Sequence, residues 1–380
     1  MIPAFDRPDA TRNASPYLYG KESQAVAAVL DSGHYGHTDV TEAFERGVAR
    51  FLDVPDAIAV SSGTAALHTA LVAAGVGPGC EVIVPSMTFC ATIQAILACG
   101  ANPRFVEVDP GTLCVCPEDV LNNLSKTTTA VMPVLFGGRA VDLAPIQDLL
   151  AERHITVIED AAHAFGSCLD SQRVGADPAV ITCFSFGPIK NLTCGQGGMI
   201  VPRTPDEAQK IRDLRMLGVV ESAAERATST AYQVKTAGFR YQMSSINAAI
   251  GNAQLPHFAG TEADRKLLWR TYRDSLNHVD DVTLVDVDVD HSVPHLCVVR
   301  VPHRDQVFRH MKSQGIAVGV HYPPNHLQPA FAPWSRQLPM TEEISRQIMS
   351  LPFHQHMDGT DAHRVVTALE QALAAVGAGR

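Results

Sequence analysis

The stretch AIAVSSGTAALHTALVAAGVGPGCEVIVPSMTFCATIQAILACGANPRFVEVD, Ala57 to Asp109, decides the fold. AIAVSS, EVIVPS and NPRFVEVD are short apolar runs of strand length. GTAALHTALVAAG and TFCATIQAILACG, which separate them, carry a helical pattern. Strand, helix, strand, helix, strand predicts a sheet with helices on its faces. The runs TAVMPVLF (129–136), ITVIEDA (155–161) and AVITCFSF (179–186) extend it with further strands. Apolar strands alternating with helices imply a parallel or mixed sheet covered on both sides.

Upstream, Lys21 to Val54 reads as two helices around the turn-rich DSGHYGHTD. Downstream, INAAIGNAQL opens a long helical stretch. VTLVDVDVD, HLCVVRVP and IAVGVHYPP read as strands between helices, and DAHRVVTALEQALAAVGAG reads as a terminal amphipathic helix. The expected organisation is a large α/β domain over residues 1–250, with the N-terminal segment, and a smaller α+β domain over 251–380.

The 380 residues suffice for a sizeable core, and 46% apolar with 18% charged residues is the balance of a globular enzyme. A formal charge of −10 without a basic run argues against nucleic acid as partner. Nine cysteines, an odd number without zinc-type spacing, point to reduced thiols. No leader-like apolar segment opens the chain, and Gly and Pro interrupt the apolar runs before bilayer length. A cytoplasmic protein without membrane contact is expected.

Loops at the carboxyl ends of parallel strands hold the sites of such folds. At the first, Ser61, Ser62, Gly63 and Thr64 stand where a strand becomes a helix. Backbone amides there suit an anion, although small hydroxyl residues are also ordinary N-caps. At the second, Asp160 ends an apolar strand, and a buried carboxylate calls for a cation or hydrogen-bond donors. His163 follows three residues later and on its own reads equally as structural. At the third, SFGPIKNLTCGQGG (185–198) places Ser185 at a strand end and Lys190 before a glycine-rich loop. Alone, Lys190 would be a surface lysine. An amine, an acid and an anion-binding helix start together are what pyridoxal 5'-phosphate requires.

The ordered motifs SGT, PSMTF, EDAAHA, SFGPIKNLTCGQGG, GFRYQMSSINAAIGNAQL and GIAVGVHYPPNHLQP resemble the DegT/StrS-type sugar aminotransferases from about residue 17 to 360. The resemblance implies a fold type I pyridoxal-phosphate enzyme with a central mixed, mostly parallel sheet, working as a homodimer with shared sites. It implies Lys190 as the Schiff-base lysine, Asp160 as partner of the ring nitrogen and His163 beside the ring hydroxyl. Gly63, Thr64 and Ser185 fall at the phosphate and Phe89 on the ring face. Arg240 falls where a partner subunit reaches in, and His321, Tyr322 and His326 along the substrate pocket. The implied reaction moves an amino group from L-glutamate or glutamine to a keto sugar, nucleotide-linked, through the pyridoxal and pyridoxamine forms of the cofactor.

Four positions depart from the family's pattern: Gly187, Gln196 and, in the triplet Arg240-Tyr241-Gln242, the first and last. Gly187 and Gln196 leave open a different ketone, such as a cyclitol; a second alternative, a non-catalytic relative that only binds the cofactor, is opposed by the intact Lys190 and Asp160. A metal enzyme built on His321, His326, His354 and His356 lacks tight ligand spacing, and no metal is expected. A dinucleotide site lacks its G-x-G-x-x-G. Arg12, Lys21 and Arg215 are candidate cations for a substrate diphosphate, with Arg215 read by preference as one charge on a solvated helix.

Overall fold

The computed structural model describes residues 12–377 apart from 222–224 and 226–227; the chain start as far as Thr11 lies outside them. Its main sheet uses β1 (Ile58–Val60), β2 (Glu81–Pro85), β3 (Asn102–Val106), β4 (Thr128–Val131), β5 (Thr156–Asp160), β8 (Ile181–Ser185) and β9 (Gly198–Val201). β6 (Cys168–Leu169) and β7 (Gln172–Arg173) form a separate small hairpin. The order across the sheet is β1-β9-β8-β5-β4-β2-β3. β9 runs antiparallel to both neighbours, and the other pairings are parallel, so the sheet is mixed as the alternation predicts.

Side-chain alternation explains why the strands read as continuous apolar runs. Val82 and Val84 enter one core with Leu67, Leu71 and Phe105, while Ile83 enters the other with Phe44, Phe136 and Phe184. A strand buried on both faces has no polar side to show. Phe184 is fully buried, a placement that stabilises by roughly 1.5–3 kcal/mol. The helix Gly63–Ala73 lies under the sheet with Ala65 to Leu71 all buried, and Ser62 caps it by accepting from Ala65 N at 3.1 Å.

β10 (Thr283–Leu284), β11 (Cys297–Arg300) and β12 (Ile348–Leu351) form an antiparallel sheet packed against the helices Phe258–Leu276 and Gly359–Gly377. Two expected strands are shorter here. VTLVDVDVD keeps only Thr283–Leu284, because Asp286 turns its carboxylate onto Asp288 N at 2.8 Å and Asp288 adopts φ +52°. IAVGVHYPP makes a single bridge, Gly319 to Ser350, before Pro323 and Pro324 divert it.

Arg215 departs from its expected place on a solvated helix face. It is 5% exposed, pairs with Glu45 and donates to the Ala59 carbonyl at 2.7 Å, while Ala59 N donates to Glu45 at 2.9 Å. The helix Pro205–Arg215 lays this end of itself along β1, the outer strand of the sheet. Among the described residues no helix is long and apolar enough to cross a membrane.

Candidate active site

A cavity of about 440 Å³ opens where the strand ends meet the segment 321–322. Its first wall is the start of the helix after β1. The amides of Gly63 and Thr64 lie in its first turn, where no intrahelical carbonyl reaches them. A Cβ on Gly63 would stand 2.7 Å from Ser185 Cβ, and one on Gly198 would stand 2.3 Å from the Ser62 carbonyl oxygen. Only glycine lets the helix start, β8 and β9 approach this closely. The result is a backbone cradle beside the Ser185 hydroxyl, suited to an anion.

β5 brings Asp160 to the cavity floor. Asp160 is 5% exposed, accepts from Thr92 Oγ1 at 2.7 Å and from Ala162 N at 3.2 Å. Burial raises its carboxyl above the usual range, while those donors and Lys190 pull it down. Its neighbour Glu159 points to the other face, bonded by Thr182 Oγ1 at 2.7 Å, and burial pushes it up to about 7. The acidic pair at this strand end thus divides, one carboxyl to the cavity and one away from it.

Lys190 lies in the connection between β8 and β9, half-buried, on the same cavity. Burial lowers its amine to about 8 against the opposing pull of Asp160. Gly187 and Gln196 line the cavity beside it. A Cβ on Gly187 would meet nothing nearer than 3.8 Å, an ordinary contact distance, so a methyl group would fit there.

The opposite wall carries His163, Phe89, His321 and Tyr322. Tyr322 Oη lies 3.2 Å from His163 Nε2, and His321 Nδ1 lies 2.8 Å from Ser350 Oγ. Burial, then the positive charge of Lys190, brings His321 down to about 4. Phe89 is 57% exposed with its ring 5.8 Å from that of Tyr322, a face open to a planar ligand.

Two expected site residues lie elsewhere. His326 is buried off the cavity, its Nδ1 2.6 Å from Ser86 Oγ and its Nε2 3.4 Å from Glu342, because the chain turns inward after Pro324. Arg240 is exposed and off the cavity, its backbone bridged to Met216. Of the candidate diphosphate cations, Arg12 is exposed, Lys21 borders a separate shallow hollow beside His257, and Arg215 is committed to Glu45. Thr92, which bonds Asp160, gives no signal in the sequence, where a threonine four residues after Thr88 reads as an ordinary helix position.

An amine lowered toward neutrality, a buried carboxylate and an amide cradle on one cavity fit pyridoxal 5'-phosphate in charge and size. The chain belongs to the DegT/DnrJ/EryC1/StrS aminotransferase family, which it matches over residues 16–370. It is a pyridoxal-phosphate-dependent aminotransferase. It is similar to DesV of S. venezuelae, solved in complex with a ketimine intermediate, at 33% identity over 92% of this chain and 94% of that one, with TM-score 0.86. The aminotransferase TlmJ from Streptoalloteichus hindustanus matches at 31% identity over 96% and 99% of the two chains, TM-score 0.89. The sugar aminotransferase CalS13 from Micromonospora echinospora matches at 28% identity over 95% and 99%, TM-score 0.89.

Proposed function

We propose that this enzyme transfers an amino group from L-glutamate or glutamine to a nucleotide-linked keto sugar in amino-sugar or antibiotic biosynthesis. The observation that carries the reading is the single cavity shared by Lys190, Asp160 and the Gly63–Thr64 amides. The likeness to CalS13, a sugar aminotransferase, supports the acceptor class.

Lys190 would anchor the cofactor through Nζ, Asp160 would accept from its ring nitrogen, and Gly63, Thr64 and Ser185 would hold its phosphate. Phe89 would cover the ring and His163 would donate from Nε2 to a ring oxygen. When bound, the cofactor supplies an electron sink for the carbanion left by proton removal from the donor's Cα. Once the donor's amino group has displaced it, Lys190 Nζ would be free to take that proton and give it up again, a task suited to an amine brought to about 8. The Asp160 carboxylate, kept oriented by Thr92 and Ala162 N, would hold the ring nitrogen and keep its proton. His321 and Tyr322 present neutral polar groups to the acceptor.

Among the described residues, Lys190 is the one cation lining the cavity. A phosphate there gains a second if a partner subunit delivers Arg240, so a homodimer with shared sites belongs to this reading. The test is a two-stage assay on enzyme reconstituted with pyridoxal phosphate. L-glutamate should bleach the visible band of the lysine-bound cofactor. Nucleotide-linked keto sugars should then restore it with an amino sugar as product. Restoration by a keto-cyclitol alone would move the acceptor to that class, and failure of both L-glutamate and glutamine to bleach the band would overturn the proposed donor.

A further inference from the structure

A second buried imidazole, His295, packs against His163 with ring centroids 4.3 Å apart and planes 35° apart. It comes from the connection between β10 and β11 and is not on the cavity. Its place is set by Asn191, the residue after Lys190. Asn191 Nδ2 donates to the Val293 carbonyl at 3.1 Å, which leaves its Oδ1 facing His295 Nδ1 at 3.1 Å. An amide oxygen only accepts, so His295 carries its proton on Nδ1.

Gly137 closes the circuit. Its carbonyl accepts from His295 N at 2.7 Å, and its own N–H donates to His163 Nδ1 at 3.4 Å. A backbone N–H only donates, so a neutral His163 carries its proton on Nε2, the atom facing Tyr322 Oη. Burial, then the charges of Lys190 and His321, hold His163 well below the usual histidine range. For His295 the cause is again burial, then His163, Lys190, Arg265 and His321. Both rings stay neutral, and Asn191, His163 and His295 are each under 9% exposed.

We propose that Asn191 and His295 are positioning residues for His163: with Gly137 they fix its plane and tautomer, so that it meets the cofactor as an Nε2–H donor. A flip of the His163 ring would strand the Gly137 N–H, and a partial rotation would disturb its packing on the His295 ring, itself held by Asn191. The residue next to the lysine thereby ties the lysine's loop to the histidine across the cavity. The inference rests on the reading of Lys190 as cofactor anchor.

The test uses the full chain with pyridoxal 5'-phosphate and follows the visible band of lysine-bound cofactor against pH. An N–H donor to a ring oxygen favours the form in which that oxygen is negative, so losing the donor moves the band's midpoint upward. His295→Leu and Asn191→Leu are each expected to raise it by about 1 pH unit, a tenfold change in the proton equilibrium. His295→Leu placed in a His163→Phe background should add nothing, since its effect passes through His163. A shift that persists in that background, or single variants that leave the midpoint where it was, overturns the proposal. Nitrogen-15 NMR of histidine-labelled, cofactor-free enzyme needs no variant: it should show Nε2–H on His163 and Nδ1–H on His295, and the opposite tautomer on His163 overturns the proposal equally. Wild-type enzyme with no visible band would remove the reading of Lys190, while the tautomer measurement would still judge the arrangement of the two rings.

Discussion

On one side of the cavity, Asp160 and Ser185 end β5 and β8, and the Gly63–Thr64 amides follow β1, so hydrogen-bonded ladders hold them. On the other, His321 and Tyr322 belong to a segment whose sheet pairing is a single bridge at Gly319. Individual contacts keep that segment in place: His321 to Ser350, Tyr322 to His163, and Asn13 Nδ2 to the Ala317 and Ser350 carbonyls, each at 3.1 Å. The ladder-held side carries the acid and the amides, and the hairpin joining β8 to β9 adds the amine. The other side carries neutral polar groups on backbone that can be altered without unpairing a strand. Groups that need sub-ångström placement relative to one another sit where the backbone is least free.

The comparison breaks most readily at Lys190. Lys190→Ala is expected to lose at least about a thousandfold in turnover, together with the visible band of the loaded enzyme, and steady-state kinetics with absorption read both. Asp160→Asn should weaken pyridoxal phosphate binding by roughly 10- to 100-fold in an equilibrium titration, the worth of one charge-assisted hydrogen bond. Unchanged affinity would mean that the ladder-held side does not grip the ring. Because burial lowers Lys190 to about 8, its amine is mostly protonated below that pH and mostly neutral above it. Attachment of added cofactor should therefore quicken roughly tenfold per pH unit up to about 8 and level off beyond, in stopped-flow absorption.

Gly63→Ala forces a Cβ to 2.7 Å from Ser185 Cβ. It should lose about 1–3 kcal/mol in denaturant melts. Gly187→Ala, whose Cβ would sit in ordinary van der Waals contact at 3.8 Å, is the control and should stay within about 0.5 kcal/mol. Apart from that control, the smallest effect belongs to the second wall. Ser350→Ala removes the partner of His321 and should lose about 1 kcal/mol or less. It should keep the cofactor band and raise KM for the acceptor alone; a lost band would show that the two sides are not separable.

Much of the ladder-held side was legible because its residues are punctuation in the sequence. Asp160, Ser185 and Gly63 each stand where an apolar run stops, and a run's end is visible without knowing its neighbours. What escaped depends on contacts between distant stretches. Asn191 meets His295 across 104 positions and Arg215 meets Glu45 across 170, so neither residue announces its burial locally. The helix Pro205–Arg215, read by composition, looks like a solvated surface element. His326 shares a segment with His321 and Tyr322, yet the turn at Pro324 sends it inward, a change of direction that no periodicity encodes.

The Arg215–Glu45 pair has a consequence for how the protein behaves in a crowded solution. β1 is an outer strand, and an outer strand normally shows a row of unused N–H and C=O groups to which another chain can add itself. At Ala59 both groups are already taken, the N–H by Glu45 and the C=O by Arg215, while Ser61 N is held by the Tyr241 carbonyl at 2.6 Å. Two side chains stand in for the strand that is not there, so this edge of the sheet offers no free pair of groups at Ala59 for another chain to add to.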